Sequence, residues 1–282
     1  MFKFNFDIES GEARICTEKG NGAMHIDKNG TNATATVQRS FMLAPFCEIS
    51  PSETTALSER DGENIPPVHD TLGIKHFGGP LPDDSDGIFE QAEKCHSDLI
   101  PQVYEGGYKI WECTIDLLRV LNERQEFVRG VRVLDLGCGA GLAGLCAMLN
   151  GAVEVHFHDY NSSVLLNLTI PNSRLLPSNS TSRSVRFFAG DWTLFQCPIK
   201  YDLIITCETI YRRGNYATLC DLFDRCLVPL KGQVLVAAKA VYFGVGGSMA
   251  EFRTYCFRRG WKVDTIVQED SGVPREIILL TK

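Results

Sequence analysis

From Tyr108 onward, short apolar runs alternate with segments of helical periodicity, and few folds accommodate such an alternation. In a parallel sheet, strands buried on both faces appear as continuous apolar runs, and each parallel pair needs a crossover, usually a helix. The runs are VRVLDL, EVHFHD, VRFFAG, YDLIITC, QVLVAAKAVYF, WKVDTIVQ and REIILL. The pattern predicts an α/β fold with a doubly wound, mostly parallel seven-stranded sheet, in which the last two runs form an antiparallel hairpin.

Two further segments show the period of an amphipathic helix. One precedes the closing hairpin and reads MAEFRTYCFRRG. The other, YKIWECTIDLLRVLNER, precedes the first strand and carries apolar side chains at Ile110, Trp111, Ile115, Leu118 and Leu121. The sequence therefore predicts one helix before the parallel strands and one after them.

The chain before this region has a different composition. From Ser10 to about Lys94 it is rich in Ser, Thr, Asn, Gly, Pro and charged residues and has few periodic apolar positions. Such a segment buries too little apolar surface to offset the entropy cost of ordering it. We therefore expect residues 1–95 to be a mostly disordered N-terminal extension and residues 96–282 to form the functional domain. The opening FKFNF alternates apolar and polar residues, which fits an edge strand, a docking segment or chance alternation.

Composition limits the class of protein. The 282 residues include 28 Lys and Arg against 35 Asp and Glu, and this acidic balance argues against binding through nucleic-acid phosphates or an anionic membrane. The 11 cysteines include no C-x-x-C pair, and the chain contains neither a signal-peptide core nor a membrane-spanning run of about 18 apolar residues. We expect a soluble, monomeric, intracellular protein with reduced thiols and no nucleic-acid or membrane partner.

A glycine-rich turn, VLDLGCGAGLAG, joins the first predicted strand to the helix after it. Gly137, Gly139 and Gly141 stand in this turn, where glycine permits positive φ and lets a ligand touch the main chain. The dinucleotide fingerprint G-x-G-x-x-G would need glycine where the chain has Leu142. The turn therefore predicts either a nucleotide-type site that departs from this fingerprint or a simple tight βα turn.

Side chains suited to binding an adenosine follow three successive strands. Asp135 ends the first strand, Asp159 ends the second, and AGDW, with Asp191 and Trp192, closes the third. At a sheet's switch point, a carboxylate such as Asp159 can accept hydrogen bonds from both ribose hydroxyls. Asp191 can accept from the adenine amine, and Trp192 offers an apolar wall. Asp159 could instead be a helix N-cap, but three such residues at three strand ends favour a ligand site.

The order of these motifs resembles a known superfamily. VLDLGCGAG, HDYN, GDW and CETIY are similar to motifs of the seven-stranded, Rossmann-like S-adenosylmethionine-dependent methyltransferases of class I, and the resemblance spans Tyr108 to Lys282. ETIY resembles the acidic-x-x-aromatic motif of the branch that contains lysine and histidine protein methyltransferases. Four longer strings resemble the histidine protein methyltransferases of the cytosol and nucleus: FKFNFDI, DLIPQVYEGGYKIWECTIDLL, DYNSSVLLNLTIPN and KAVYFGVGG.

This resemblance implies a cofactor, a reaction and a partner. The cofactor is S-adenosyl-L-methionine, with no metal, and the reaction is methyl transfer to the tele nitrogen of a histidine in a protein. The substrate it implies is the third large-subunit ribosomal protein, and the location is the cytoplasm and the nucleus, with the nucleolus as one candidate compartment. The cofactor-binding residues it implies are Trp111, Asp135, Gly137, Cys138, Gly139, Gly141, Asp159, Tyr160, Asn161, Asp191, Trp192 and Cys207.

Glu208 and Tyr211, in CETIY, are the predicted catalytic residues. A sulfonium already activates the methyl group, so the protein must supply position and charge stabilisation. If a neutral histidine attacks with its distal nitrogen, the near nitrogen carries the hydrogen, and an acceptor facing it would fix the tautomer and stabilise the developing cation. We assign this role to Glu208, with Tyr211 lining the substrate channel. The alternative is that Glu208 satisfies nearby backbone amides.

Other functions could use the same fold. A relative of this kind could methylate lysine or a small molecule, or bind S-adenosylmethionine without catalysis as a chaperone for a ribosomal protein. A nicotinamide-dependent dehydrogenase is disfavoured by the missing third glycine and by the lack of a catalytic tyrosine–lysine or histidine pair. His156 and His158 could suggest a metal pair, but no third ligand has suitable spacing. The loop YFGVGG is either a lid or a plain turn, and Glu105–Gly107 is expected at the same mouth.

Overall fold

The apolar runs form the strands of one sheet. The computed structural model describes residues 43–54, 65–79, 87, 90, 94, 99–100, 103–177 and 184–282. These residues fall within one compact unit, Met42–Lys282. The strands are β1 (Cys47–Ile49), β2 (Val68–Thr71), β3 (Ile74–Phe77), β4 (Arg132–Leu136), β5 (Glu154–Asp159), β6 (Ser184–Ala189), β7 (Leu203–Cys207), β8 (Gln233–Lys239), β9 (Lys262–Glu269) and β10 (Arg275–Thr281).

The main sheet has eight strands in the order β1-β6-β5-β4-β7-β8-β10-β9. Strands β4 to β8 pair in parallel, and β10 is antiparallel to both β8 and β9. The predicted α/β class, the mostly parallel sheet and the antiparallel C-terminal hairpin are therefore confirmed. The order reverses at β4, because β5 and β6 continue to one side and β7 and β8 to the other. In such a sheet, ligands bind at the carboxyl ends of the strands next to this switch point.

Helices cover both faces of the parallel strands. They are α1 (Glu112–Glu123), α2 (Leu142–Leu149), α3 (Ser162–Val164), α4 (Ile170–Ser173), α5 (Asn215–Cys226) and α6 (Met249–Arg258), and a π-helical turn, Leu165–Thr169, links α3 to α4. The two helices predicted from periodicity are α1 and α6. Among the described residues, no helix is long and apolar enough to span a bilayer.

Alternate residues of each parallel strand point into two apolar clusters. On β7, Ile205 packs in the cluster of α1 and α2, whereas Ile204 packs in the cluster of α5 and α6. Both side chains are fully buried. A strand buried on both faces needs apolar residues throughout, so these strands appear in the sequence as continuous apolar runs. The same alternation turns Asp135 of β4 to the face that carries α1 and α2.

Part of the N-terminal extension, for which the sequence predicts mostly disorder, forms strands in the structure. Strand β1 pairs antiparallel with β6 at the sheet edge, and β2 and β3 form a hairpin. Their few apolar side chains, Ile49, Ile74 and Phe77, are buried in the same cluster as α1 and α2. These residues cannot form a core alone, but they gain burial on an existing surface. The division of the chain at residue 95 stays a prediction, and the opening FKFNF lies outside the described residues.

Candidate active site

A cavity opens at the carboxyl ends of β4, β5 and β7, at the switch point of the sheet. Its empty volume, counting space that opens to solvent, is about 710 Å³. The predicted residues that line it are Trp111, Asp135, Gly137, Cys138, Gly139, Asp159, Tyr160, Trp192, Cys207, Glu208 and Tyr211. Glu105, Gly106 and Gly107 also line it, as expected for the mouth. The sequence motifs therefore converge on one cavity.

The glycine turn forms the floor of this cavity with left-handed backbone. Gly137 has φ 67° and Gly139 has φ 52°, values that residues with a side chain rarely adopt. A Cβ at Gly139 would lie 2.8 Å from the carbonyl oxygen of Gly107, and one at Gly137 would lie 2.9 Å from Cγ2 of Thr209. Glycine is thus required both by conformation and by space, which keeps the main chain bare toward the cavity.

Asp135 and Asp159 stabilise this turn from neighbouring strands. The Asp135 carboxylate accepts a hydrogen bond from the Gly144 N–H at 2.7 Å. The Asp159 carboxylate accepts from the N–H groups of Gly139 at 2.9 Å and Asn161 at 3.1 Å. Burial raises the pKa of Asp135 to about 8 and that of Asp159 to about 6, although these backbone donors oppose the shift. Two carboxylates that are costly to ionise therefore face the cavity.

Two polar side chains of the π-helical region support the turn from behind. Thr169 donates from Oγ1 to the Gly139 carbonyl at 2.5 Å, and Asn172 donates from Nδ2 to the Ala140 carbonyl at 2.9 Å. Asn172 also accepts at Oδ1 from the Phe77 N–H at 2.8 Å, which ties the turn to β3. Neither Thr169 nor Asn172 is among the site residues predicted from the sequence. Their signal is a polar residue at a buried position within the apolar segment VLLNLTIPN.

Trp111 lies at the start of α1 and forms one wall of the cavity. Its Nε1 donates to the Gly106 carbonyl at 3.3 Å. Two ammonium groups approach its ring, Lys109 Nζ at 4.4 Å and Lys239 Nζ at 4.8 Å from the centroid. Such cation–π contacts hold the indole in place, and Trp192 provides a second aromatic surface in the lining.

Glu208 lies at the end of β7 in left-handed backbone, with φ 57°, and is buried. Its Oε2 accepts from the Tyr242 hydroxyl, whereas its buried Oε1 has no hydrogen-bond partner among the described residues. Lys239 Nζ lies 4.0 Å from Oε1, too far for a hydrogen bond. Burial raises the pKa of Glu208, and Lys239 opposes that shift. These contacts are with side chains, so they do not support the alternative role of Glu208 as an acceptor for backbone amides.

Tyr211 lies beside Glu208 at the mouth of the cavity. Its hydroxyl donates to Glu105 Oε2, and Arg212 Nη1 lies 3.4 Å from the other oxygen of Glu105. Burial raises the pKa of Tyr211, so that the phenol keeps its proton. The network joins CETIY to the segment before α1 and closes one side of the mouth.

Three predicted cofactor residues do not line the cavity. Gly141 packs against Thr169 and Phe157, Asn161 donates from Nδ2 to the Val103 carbonyl at 2.7 Å, and Asp191 accepts from Thr193 N and Oγ1. These residues shape the turns that carry the lining residues instead. The site assignment of all three stays a prediction.

The histidines of β5 and the loop YFGVGG have structural contacts. His156 contacts the Tyr201 hydroxyl at 2.8 Å and Glu154 at 3.0 Å, and burial lowers the pKa of His158 to about 4. Within the described residues, no cluster of three metal-ligating side chains is found. The loop YFGVGG closes on itself through the Gly246 N–H, which donates to the Tyr242 carbonyl at 3.1 Å. It is a turn, and Tyr242 points back to Glu208.

Sequence comparison shows which known proteins this chain is similar to. The family model for lysine methyltransferases matches residues 102–242. Histidine protein methyltransferase 1 homologues from Mus musculus and Bos taurus are each 39% identical, over 225 and 252 residues. The alignments cover 70% and 77% of this chain but only 62% and 65% of those proteins. The chain thus spans less than two thirds of the relatives' length.

The fold also has a solved counterpart. Magnesium protoporphyrin IX methyltransferase from Synechocystis PCC 6803, solved with bound SAH, superimposes with a TM-score of 0.50 at 14% identity. The match covers 71% of this chain and 96% of that protein. At this identity the likeness concerns the fold, and it agrees with the class I methyltransferase topology described above.

Proposed function

The chain belongs to the lysine methyltransferase family, and on this premise we propose that it is an S-adenosylmethionine-dependent methyltransferase acting on histidine in a protein. One observation carries the proposal beyond the family. Glu208 lines the cavity, and its buried Oε1 has no hydrogen-bond partner among the described residues. Buried acceptors normally have donors, so this atom is suited to a donor supplied by a substrate. The relatives named histidine protein methyltransferase support histidine as that substrate.

The cavity fits S-adenosylmethionine by its own features. Gly137 and Gly139 line the cavity without side chains, so a ligand can approach their backbone closely. Asp159 would take the ribose hydroxyls, Asp135 and the glycine turn would hold the methionine end, and the two tryptophans of the lining would cover the apolar parts. When bound, S-adenosylmethionine supplies a methyl group already activated by a sulfonium, so the reaction needs no metal.

Residues of the chain would orient the methyl acceptor, stabilise its developing charge and take its proton. Glu208 Oε1 accepts the Nδ1–H of a neutral substrate imidazole, which leaves the lone pair of Nε2 directed into the cavity. As the ring becomes cationic, the carboxylate stabilises the charge and can then take the Nδ1 proton. Tyr211 and Glu105, joined by their hydrogen bond, bound the channel through which the side chain enters.

We further propose the third large-subunit ribosomal protein as the substrate, on the resemblance of the longer sequence strings. Transfer would then take place in the cytoplasm or the nucleus. The acidic net charge of −7 supports recognition of a basic polypeptide by long-range attraction.

The test is transfer of labelled methyl from S-adenosylmethionine into an extract of methyltransferase-deficient cells, followed by acid hydrolysis and identification of the labelled amino acid. We expect label in tele-methylhistidine, in a protein that migrates with the large ribosomal subunit. Label in methyllysine would instead identify lysine as the methyl acceptor, in agreement with the description of the family model. Label in no protein, with cofactor binding shown by calorimetry, would favour a small-molecule substrate or a non-catalytic binder.

A further inference from the structure

The two oxygens of Glu208 have different surroundings. Oε2 accepts from the Tyr242 hydroxyl. Oε1 has no hydrogen-bond partner among the described residues, yet Lys239 Nζ lies 4.0 Å away. At this distance an ammonium offsets the carboxylate charge but does not occupy a lone pair. Lys239 thus partly offsets the charge of Glu208 and leaves Oε1 able to accept a hydrogen bond.

Lys239 is held in this position by contacts on its other sides. It is the last residue of β8, and its side chain is 18% exposed. Nζ lies 3.6 Å from the Glu112 carboxylate and 4.8 Å from the ring centroid of Trp111. The Lys239 ammonium therefore lies close to both Trp111, which forms a wall of the cavity, and the Glu208 carboxylate.

A resident ammonium changes which substrates Glu208 can receive. A neutral imidazole brings an N–H without net charge, and it meets an open lone pair on Oε1. A lysine side chain is charged at neutral pH, so it would have to bring a second ammonium close to Lys239 and release a proton to solvent before its amine could attack. The attraction of Glu208 for that ammonium is also weaker, because Lys239 partly offsets the carboxylate charge. The arrangement favours a neutral N–H donor over a cation.

We propose that Lys239 is a specificity-determining and positioning residue: through Glu208 it selects neutral histidine as the methyl acceptor and disfavours lysine. The proposal rests on the proposed function, since it assumes methyl transfer in this cavity. It explains how a member of a family described by lysine methylation can act on histidine.

The charge of Lys239 also affects the ionisation of Glu208, and this effect can be measured separately. The groups that face it are Lys239 and Tyr242 from the end of β8, Glu112 and Cys113 from α1, and Cys207 from β7. Burial raises the pKa of Glu208, and Lys239 is the largest opposing influence. Removal of the Lys239 charge therefore raises this pKa further. The carboxylate then protonates at higher pH, and the acid limb of the pH–rate profile moves upward.

The test compares Lys239→Met with the wild type in the labelled-methyl assay on the deficient extract. We expect the ratio of label in methyllysine to label in tele-methylhistidine to rise by about tenfold or more, because a like charge is removed. We expect the acid limb of histidine labelling to shift to higher pH, because the Lys239 charge no longer opposes the raised pKa of Glu208. Lys239→Arg, which keeps the charge, should restore both values toward wild type.

Lys231→Met is the matched control, because it removes an exposed ammonium just before the other end of β8, outside the cavity lining, and should leave the ratio and the acid limb unchanged. If Lys239→Met does not fold, as judged by circular dichroism, Lys239→Gln replaces it. A neutral variant that folds and keeps both the wild-type ratio and the wild-type acid limb overturns the proposal. Failure of the wild type itself to label tele-methylhistidine would instead overturn the proposed function.

Discussion

The carboxylate of Asp159 accepts a hydrogen bond from the backbone N–H of Gly139 over 2.9 Å. This contact joins the end of β5 to the glycine turn after β4, so the residue proposed to bind ribose also shapes the turn proposed to hold the methionine end. The two halves of the cofactor site are thereby fixed relative to each other before any ligand binds. Preorganisation of this kind lowers the ordering cost of binding.

Cofactor affinity is expected to depend on pH through Asp159. Because burial raises the pKa of Asp159 to about 6, the carboxylate gains a proton as pH falls through this value and loses acceptor capacity. We expect the Kd for S-adenosylmethionine, measured by calorimetry, to rise as pH falls from 7 to 5. The pKa of about 8 for Asp135 lies above this window. Asp159→Asn should bind about tenfold or more weakly and lose the dependence; a variant that keeps wild-type affinity and slope would refute the assignment.

Gly139 can be tested against a glycine with the same backbone but open surroundings. Gly139 and Gly130 both have positive φ, but a Cβ at Gly130 has nothing within 4 Å, whereas one at Gly139 meets the Gly107 carbonyl at 2.8 Å. We expect Gly130→Ala to lower the free energy of unfolding by about 1–2 kcal/mol through strain alone. Gly139→Ala should cost more and also weaken cofactor binding. Equal losses in urea unfolding would show that the close approach is unimportant.

The glycine turn and the strand-end carboxylates were predictable because each is encoded locally. An apolar run such as VRVLDL can only be buried, and the Gly137 to Gly141 pattern at its end marks a turn that must be bare. Asp135 and Asp159 follow from the rule that parallel strands present their carboxyl ends at one edge. These inferences needed no knowledge of distant contacts.

Asn172 is expected to be a main structural link between the N-terminal hairpin and the cavity. It is fully buried and bonds both the Phe77 N–H and the Ala140 carbonyl. Asn172→Ala would leave two buried groups unpaired, at about 1–3 kcal/mol each. We expect urea unfolding to show a loss of about 2–4 kcal/mol.

Asn150→Ala provides the comparison, because Asn150 Nδ2 also donates to two oxygens, Asn122 Oδ1 and the Cys146 carbonyl, and to the Cys146 Sγ, but Asn150 is only half-buried. Water can replace its bonds, so we expect a cost of about 1 kcal/mol or less. An Asn172→Ala variant no less stable than Asn150→Ala would contradict the role of Asn172.

The contacts that the sequence did not predict are those made between distant segments. Ile74 and Phe77 are single apolar residues in a polar region, and only an existing surface makes them core residues. The run QVLVAAKAVYF predicts a strand and YFGVGG a loop directly after it, but β8 already ends at Lys239, and the chain turns so that Tyr242 reaches Glu208. No local pattern indicates this contact between Tyr242 and Glu208. The environment of Glu208 therefore became visible only in three dimensions.

The central claim is that Glu208 acts on the methyl acceptor and not on the cofactor. The most direct test measures, for Glu208→Gln, both the turnover into tele-methylhistidine and the Kd for S-adenosylmethionine. The amide keeps the size of the side chain but loses the charge that stabilises a cationic ring, so turnover should fall roughly 100-fold. The Kd should stay close to that of the wild type. Equal loss of turnover and affinity, or full turnover in the variant, would contradict the claim.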